Sequence, residues 1–220
     1  MKMKILLISS SPHKEKSKTF SLVGEVLKGL SKNVADIETI HLCDFSVFFC
    51  KHCEQCHKDI LQCPLPDDVH VILEKMLVAD GIILASPNYI NQVTASMKAL
   101  FDRSSHFIHC KRLLGKYIAG VVSSGSGQAQ EVLDYIKYYG HTCGVQYSGG
   151  VSSAAQSIGE KTEEAIELGR KLSKDIQEKR NYPEQLKLIE NGKQHFRLII
   201  KARKKGWAGE HQYWQDKGWL

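Results

Sequence analysis

The sequence predicts an α/β fold in which helices cover both faces of a parallel sheet. Three features of the chain support this prediction. Short apolar runs of strand length alternate with longer segments of helical periodicity. The first run, residues 4–8, is almost continuously apolar, as expected of a strand that is buried on both faces. Polar turn residues follow the apolar runs, for example Ser86-Pro87-Asn88.

The predicted elements follow one another in a regular order. The segment after the first strand has apolar residues at helical spacing, and Ser17 and Thr19 can cap its N-terminus. A second helical pattern begins at residues 67–68 and ends before Asp80. Further helices are predicted at about residues 94–109, 128–139 and 160–179, and further strands at residues 36–42, 82–85, 117–122 and 145–151.

Five strands that alternate with five helices favour a flavodoxin-like, doubly wound sheet of strand order 2-1-3-4-5. We expect this domain to occupy residues 1–180 and to contain a cysteine loop at residues 43–66. Residues 181–220 form a C-terminal extension with a helical segment at about 186–205 and an aromatic end. Because three tryptophans within thirteen residues are not expected in water, the extension should pack on the body or on a partner subunit.

Composition and charge exclude several classes of protein. The chain of 220 residues has no apolar run near the roughly 18 residues that span a bilayer, and no secretory leader, so a cytoplasmic protein is expected. The formal charge is +6, but residues 181–220 hold eight Lys or Arg against four Asp or Glu. The remainder is nearly balanced and the basic run at 201–205 is typical of a solvated helix face, so no nucleic-acid partner is predicted.

The cysteines indicate a metal site. The chain has seven, an odd number without an export signal, which favours reduced thiols over disulfides. Four of them form a Cx2Cx2Cx6C pattern followed by proline, and such short gaps allow thiolates to converge on one inorganic centre; these are Cys50, Cys53, Cys56 and Cys63. The other three, Cys43, Cys110 and Cys143, are predicted to be small buried residues. The neighbouring His52 and His57 are predicted to be solvated.

Three loops at the carboxyl edge of the predicted sheet are candidates for a ligand site. The first, residues 9–19, offers hydroxyls at a helix N-terminus, which suits a phosphate, although a plain N-cap would have the same composition. The second and third, residues 86–91 and 123–127, suit a planar heterocycle, although both are also ordinary turn compositions. The chain has neither a dinucleotide fingerprint nor a P-loop motif.

Three stretches together resemble a known family. They are Ser9-Ser10-Ser11-Pro12 with Ser17 and Thr19, the run Cys53-x2-Cys56-x6-Cys63-x3-Asp67-Asp68, and Ala79 to Tyr89 continuing through Met97 to Arg103. They resemble the NADPH-dependent FMN reductases of the flavodoxin-like superfamily, and the cysteines narrow the resemblance to the iron-sulfur flavoproteins. The resemblance covers residues 3 to about 175.

The resemblance implies two cofactor sites. FMN would be held by its phosphate on Ser9, Ser11, Ser17 and Thr19, and by its ring on Pro87, Asn88, Tyr89, Ile90, Ser124 and Gly125. The four cysteines of the motif would ligate a [4Fe-4S] cluster, while zinc or no metal at all remain alternatives for the same thiolates. Many relatives have glycine where this chain has Ile90.

The function implied is that of an FMN-dependent oxidoreductase that takes electrons from NAD(P)H and passes them to the cluster or to an acceptor. That acceptor would be a small molecule or a ferredoxin-like protein, and a homodimer or homotetramer is expected because family members dimerise. No acid or base residue is assigned, because the cofactor performs the chemistry. The alternatives are a non-enzymatic flavodoxin-like electron carrier, and a quinone or nitroaromatic reductase whose cysteine loop is metal-free or binds zinc.

Overall fold

The structure is a computed structural model, and it describes residues 3–32 and 34–220. Five strands alternate with the helices: β1 (Met3–Ser9), β2 (Val34–His41), β3 (Gly81–Pro87), β4 (Tyr117–Ser124) and β5 (Gln146–Ala154). The helices of the described residues are α1 (Lys18–Gly29), α2 (Gln55–Lys58), α3 (Val69–Val78), α4 (Ala95–Asp102), α5 (Ser105–His109), α6 (Gln130–Cys143), α7 (Thr162–Glu178), α8 (Pro183–Ala202) and α9 (Ala208–Asp216).

The five strands form one parallel sheet in the order β2-β1-β3-β4-β5, which confirms the predicted fold class. The strand order reverses between β1 and β3, so the loops after these two strands diverge and leave a crevice between them. Ser9, Pro87 and Ser124 end β1, β3 and β4 at the same edge of the sheet. The fold therefore places the three candidate loops side by side.

The core forms two layers, one on each face of the sheet. Alternate residues of β1 point to opposite faces, as the period of a strand requires. Leu6 and Ile8 pack with α3, α4 and α6, while Ile5 and Leu7 pack with α1 and α7. On the second face α1 and α7 approach each other closely at Gly169, where a Cβ would lie 2.0 Å from the carbonyl oxygen of Val26.

The predicted continuous helix at residues 94–109 is wrong, because the chain forms two helices, α4 and α5, that are separated at Arg103 and Ser104. Ser104 has φ −101° and ψ 26°, and its hydroxyl donates to the carbonyl oxygen of Phe101 at 2.7 Å. A serine that bonds to the backbone in this way competes with the helical pattern. The break turns the side chain of Arg103 towards the cysteine loop, where it contacts Asp67.

The C-terminal extension forms α8 and α9, and its apolar side chains make a third cluster with the body. Trp207, Trp214 and Ile200 pack against Cys110, with Ile60 of the cysteine loop at the margin. The basic run at 201–205 is exposed, as predicted. Within the described ranges, no helix is both long enough and apolar enough to cross a membrane.

Candidate functional site

Hydrogen bonds join the three loops at the carboxyl edge of the sheet. The hydroxyls of Thr19 and Ser123 share a hydrogen bond of 2.6 Å, although 104 residues separate them in sequence. The amide of Asn88 donates to the carbonyl oxygen of Ser123 at 2.7 Å, and the amide of Ser10 donates to Ala85 at 2.9 Å. The loops after β1, β3 and β4 therefore form one site rather than three separate turns.

The first loop presents buried hydroxyls next to the N-terminus of α1. Ser17 is the N-cap of α1: its hydroxyl accepts from the amide of Phe20 at 3.0 Å and donates to the carbonyl oxygen of Lys14 at 2.7 Å. Ser9, Ser11 and Thr19 are also buried. The hydroxyl of Ser9 has no hydrogen-bond partner among the described residues, which is unusual for a buried polar atom and leaves it available to a ligand.

The second loop has a strained backbone and an exposed apolar tip. Tyr89 and Gln92 exchange backbone hydrogen bonds of 3.0 and 3.2 Å, and the two residues between them, Ile90 and Asn91, both have φ 54°. Ile90 is 99% exposed and Tyr89 is 51% exposed. The side-chain oxygen of Asn88 is buried and lacks a partner in the part of the chain that the structure describes. This loop can therefore offer an unpaired acceptor and an apolar surface to a ligand.

The third loop begins where β4 ends. Ser124 is buried and its hydroxyl shares a hydrogen bond of 3.1 Å with Ser126, while Gly125 is exposed. A Cβ at Gly125 would meet no atom of the described residues within 4 Å, so this position borders open space. All ten residues that the family resemblance assigns to FMN lie in these three loops or at the strand ends that precede them. Their contacts with a flavin remain a prediction.

The cysteine loop starts beside the first loop. β2 pairs with β1 through His41 and Ser9, and the thiol of Cys43, two residues later, lies 3.9 Å from the carbonyl oxygen of Ser11. Cys43 is exposed, so its predicted burial is wrong: it follows the edge strand in a short turn and is not covered by any layer of the core. Cys110 and Cys143 are buried as predicted.

The four cysteines of the motif line a single cavity, together with Arg103 and His57. Positive φ angles at His52 (50°) and Glu54 (59°) make the tight turns between successive cysteines. The amide of His52 donates to the sulfur of Cys50 at 3.4 Å. Burial, together with the carboxylate of Glu210 and the other cysteines of the motif, raises the pKa of the Cys56 thiol to about 12. A bound cation would have to displace that proton.

A buried ion pair fixes the far end of the cysteine loop. The guanidinium of Arg103 bonds to both carboxylate oxygens of Asp67, and its Nη1 also donates to the carbonyl oxygen of Phe48 at 2.8 Å. Asp67 in turn accepts from the amide of Phe48 at 2.8 Å. Burial alone would raise the pKa of Asp67, but the hydrogen bonds from Arg103 and from the amides of Phe48 and Val69, together with the charge of Arg103, outweigh burial and lower the pKa. Both residues belong to the stretches that resemble the family, although no role was predicted for either.

The predicted solvation of His57 is wrong, because the C-terminal extension covers it. His57 is 4% exposed, and its Nδ1 donates to Glu210 on α9 at 2.6 Å. His109 donates to the same carboxylate at 3.0 Å. The indole of Trp207 stacks on the imidazole of His109 at a centroid distance of 4.7 Å and lies tilted against that of His57 at 4.5 Å. Burial would raise the pKa of Glu210, but the bonds from His109 and His57 lower it.

Glu210 is fully buried, which a charged residue tolerates only when it is paired. The sequence offered no local signal for this cluster, because 153 residues separate His57 from Glu210. The ligand atoms of His57, His109 and Glu210 lie within 4.8 Å of one another. No other three ligand atoms from His, Cys, Asp or Glu do so in residues 3–32 and 34–220.

A doubly wound parallel sheet with joined polar loops at its switch point defines a class of flavodoxin-like, ligand-binding α/β proteins. The profile of the NADPH-dependent FMN reductases matches residues 3–158. The chain therefore belongs to the NADPH-dependent FMN reductase family, a family of flavin oxidoreductases.

Two relatives from Archaeoglobus fulgidus carry the name iron-sulfur flavoprotein. The first is 37% identical over 124 residues, which cover 56% of this chain and 60% of the relative. The chain thus spans less than two thirds of that relative's length. The second is 28% identical over 223 residues, and this alignment covers 99% of this chain and the whole of the relative, including the C-terminal extension.

The fold also matches solved structures. An NADH:FMN oxidoreductase, crystallised in its apo form, has a TM-score of 0.56 and 20% sequence identity to this chain. The match covers 83% of this chain and 93% of that protein. At this level of identity the likeness establishes the flavodoxin-like fold and nothing more.

Proposed function

We propose that this protein is an FMN-dependent oxidoreductase that moves electrons from NAD(P)H or a protein donor, through FMN, to a [4Fe-4S] cluster or an external acceptor. The observation that supports this most directly is the joining of the three edge loops by the Thr19–Ser123 and Asn88–Ser123 hydrogen bonds. These bonds create one continuous polar site at the switch point, where a flavin binds in this class of fold.

For the flavin we propose the ligands that the resemblance implies. The phosphate would lie against Ser9, Ser11, Ser17 and Thr19, and the ring against Pro87, Asn88, Tyr89, Ile90, Ser124 and Gly125. Two buried atoms that have no partner among residues 3–32 and 34–220 support this fit, the hydroxyl of Ser9 and the side-chain oxygen of Asn88. The positive end of the dipole of α1 also favours a phosphate at the first loop.

For the cysteine loop we propose a [4Fe-4S] cluster bound by Cys50, Cys53, Cys56 and Cys63. All four line one cavity, and the sulfurs of Cys50 and Cys63 already accept N–H hydrogen bonds, as cluster ligands do. A zinc ion with Zn–S bonds of about 2.3 Å would hold its sulfurs roughly 3.8 Å apart. No three sulfurs lie within 4.8 Å of one another in the described chain, which is a wider spacing than a zinc ion requires.

The residues of the chain would bind, orient and shield the cofactors. When bound, FMN supplies the chemistry of accepting a hydride and releasing its two electrons singly. The joined loops would hold the ring in a fixed orientation, while the exposed Gly125 would leave an approach for a nicotinamide. No side chain is assigned as an acid or base.

We also propose that the protein acts in the cytoplasm as a homodimer or homotetramer. Apolar side chains next to both proposed cofactor sites support an interface there: Phe48, Phe49, Tyr89 and Ile90 are 47%, 76%, 51% and 99% exposed. A partner subunit seated on them would remove this surface from water. The external acceptor would then be a small molecule or a ferredoxin-like protein that reaches the remaining open side.

The test is a visible spectrum with iron and zinc analysis on protein purified without oxygen. We expect flavin peaks, a broad shoulder near roughly 400 nm and iron in the amount of one cluster per chain. The exposed cysteines Cys53 and Cys43 provide a matched pair, since only Cys53 lines the cavity. Cys53→Ser should lose the iron and keep FMN, whereas Cys43→Ser should keep both. Colourless wild-type protein without affinity for added FMN would refute the proposal.

Turnover separates the remaining alternatives. Steady oxidation of NAD(P)H by the pure protein supports the enzyme, whereas reduction only by a ferredoxin-like donor supports an electron carrier. Zinc without iron would leave a quinone or nitroaromatic reductase, because the thiolates would then only hold the loop together.

A further inference from the structure

The guanidinium of Arg103 also contacts the cysteine motif itself. Its Nη2 donates to the sulfur of Cys63 at 3.3 Å, in addition to its bond to Asp67. The side chains of Arg103 and Asp67 are 2% and 1% exposed, so the ion pair lies out of water, while Cys63 is half-buried. Of the four sulfurs, Cys63 is therefore in direct contact with a permanent positive charge.

The geometry of the donor is fixed by its other bonds. The two bonds to Asp67 and the bond to the carbonyl oxygen of Phe48 hold the guanidinium plane on two sides. Asp67 is itself held by the amides of Phe48 and Val69, at 2.8 and 3.3 Å. The carboxylate compensates the buried charge, and one N–H remains directed at the sulfur. Hydrogen bonds from a charged donor to an anionic acceptor are the strong ones, so this arrangement suits a thiolate better than a thiol.

We propose that Arg103 raises the reduction potential of the centre held by the cysteine loop, by donating a hydrogen bond to the sulfur of Cys63. This inference rests on the proposed function, because it requires the cluster. Reduction adds one electron to the centre, forms and breaks no bond, and increases the negative charge on the ligand sulfurs. A fixed cationic donor stabilises that charge more in the reduced state than in the oxidised state, and so favours reduction.

The position of Arg103 in the chain supports a role beyond the ion pair. It lies at the break between α4 and α5, and this break directs its side chain to the cavity of the cysteines. The sulfur of Cys50 accepts from a backbone amide, which side-chain substitution does not remove. Arg103 is thus the donor whose effect on a motif sulfur can be tested by mutation.

The experiment is a redox titration of the cluster, followed by electron paramagnetic resonance, in the full-length holoprotein. Arg103→Lys keeps the positive charge but loses the planar array of N–H donors that bonds to Asp67 and Cys63 together. The double variant Arg103→Gln with Asp67→Asn removes both charges and leaves no buried ion unpaired. In both variants we expect the ratio of reduced to oxidised cluster at a fixed potential to be at least tenfold lower than in the wild-type protein. This corresponds to a midpoint lower by about 59 mV for one electron. Lys98→Gln, on the exposed side of α4, should leave the midpoint unchanged.

Iron content and FMN content are measured on every variant, because they separate the outcomes. A variant with wild-type iron and an unchanged midpoint would overturn the inference. Loss of iron from both variants, with FMN retained, would also overturn it, since Arg103 would then hold the loop rather than set the potential. Wild-type protein without iron would refute the proposed cluster, and the inference would fall with it.

Discussion

Ile90 combines two features that do not favour a β-branched residue. Its φ of 54° lies in the left-handed region, and its side chain is 99% exposed. The left-handed φ therefore strains the backbone at Ile90, and burial of the side chain within the subunit does not offset that strain. Asparagine tolerates the left-handed region, so Asn91, with the same φ, is less strained. The strain supports a role for Ile90 outside the isolated subunit, against a flavin or a partner.

We therefore expect Ile90→Gly to stabilise the flavin-free protein. Relief of left-handed strain is worth about 1–3 kcal/mol, and the added flexibility of glycine costs about 0.5–1 kcal/mol, so a net gain of roughly 1 kcal/mol should appear in urea denaturation. Asn91→Gly is the matched control, with an expected change within about 0.5 kcal/mol. A loss of stability in Ile90→Gly would show that the side chain makes contacts that its exposure does not suggest.

At the scale of elements, α9 docks on α2 by close approach of the two backbones. A Cβ at Gly209 would lie 2.5 Å from the carbonyl oxygen of Lys58 and 2.9 Å from its carbonyl carbon. Glycine is thus required at this contact for steric reasons, independently of helix propensity. The contact presses the extension onto the cysteine loop beside His57 and Glu210.

Gly209→Ala should accordingly destabilise the protein by about 1–3 kcal/mol, although alanine is the better helix former, because the methyl group overpacks a backbone contact. Gly206→Ala is the control, since its nearest neighbour, the carbonyl oxygen of Arg203, would lie 3.8 Å away. Chemical denaturation of both variants provides the measurement. Equal stabilities for the two variants would mean that α9 can shift away from α2 without cost.

At the scale of the whole molecule, local sequence patterns were sufficient for the sheet. Continuous apolar runs and helical periodicity predicted the five strands, since these signals depend on a few neighbouring residues. Their order followed from the alternation of strands and helices, which is typical of a flavodoxin-like sheet. The break at Ser104 was not predicted, because a serine bond to the backbone competes with a pattern that otherwise continues. The burial of His57 could not be predicted, because it depends on Glu210 from a distant helix.

The placement of the three candidate loops could be predicted from the sequence for a different reason. In a parallel sheet the carboxyl ends of the strands share one edge, so topology alone brings residues 9–19, 86–91 and 123–127 together. The hydrogen bond between Thr19 and Ser123 directly joins the first and third of these loops. The division into residues 1–180 and 181–220 remains a proposal, and the unfolding of the molecule can test whether the two parts are independent.

The extension contains all three tryptophans of the chain, Trp207, Trp214 and Trp219, so tryptophan fluorescence reports on the extension alone. Far-ultraviolet circular dichroism instead reports mainly on the whole sheet and its helices. Trp214 is fully buried, and Glu210 is hydrogen-bonded to His57 and His109 inside the body. Because these contacts couple the two parts, we expect the two signals to follow one urea transition in the wild-type protein. Glu210→Gln removes the carboxylate that accepts from both imidazoles, and a buried donor left without its partner costs about 1–3 kcal/mol. In that variant the fluorescence transition should precede the change in circular dichroism, because the extension should detach before the sheet unfolds. Separate transitions in the wild-type protein would instead establish that the extension is an independent unit, with Glu210 contributing little to its attachment.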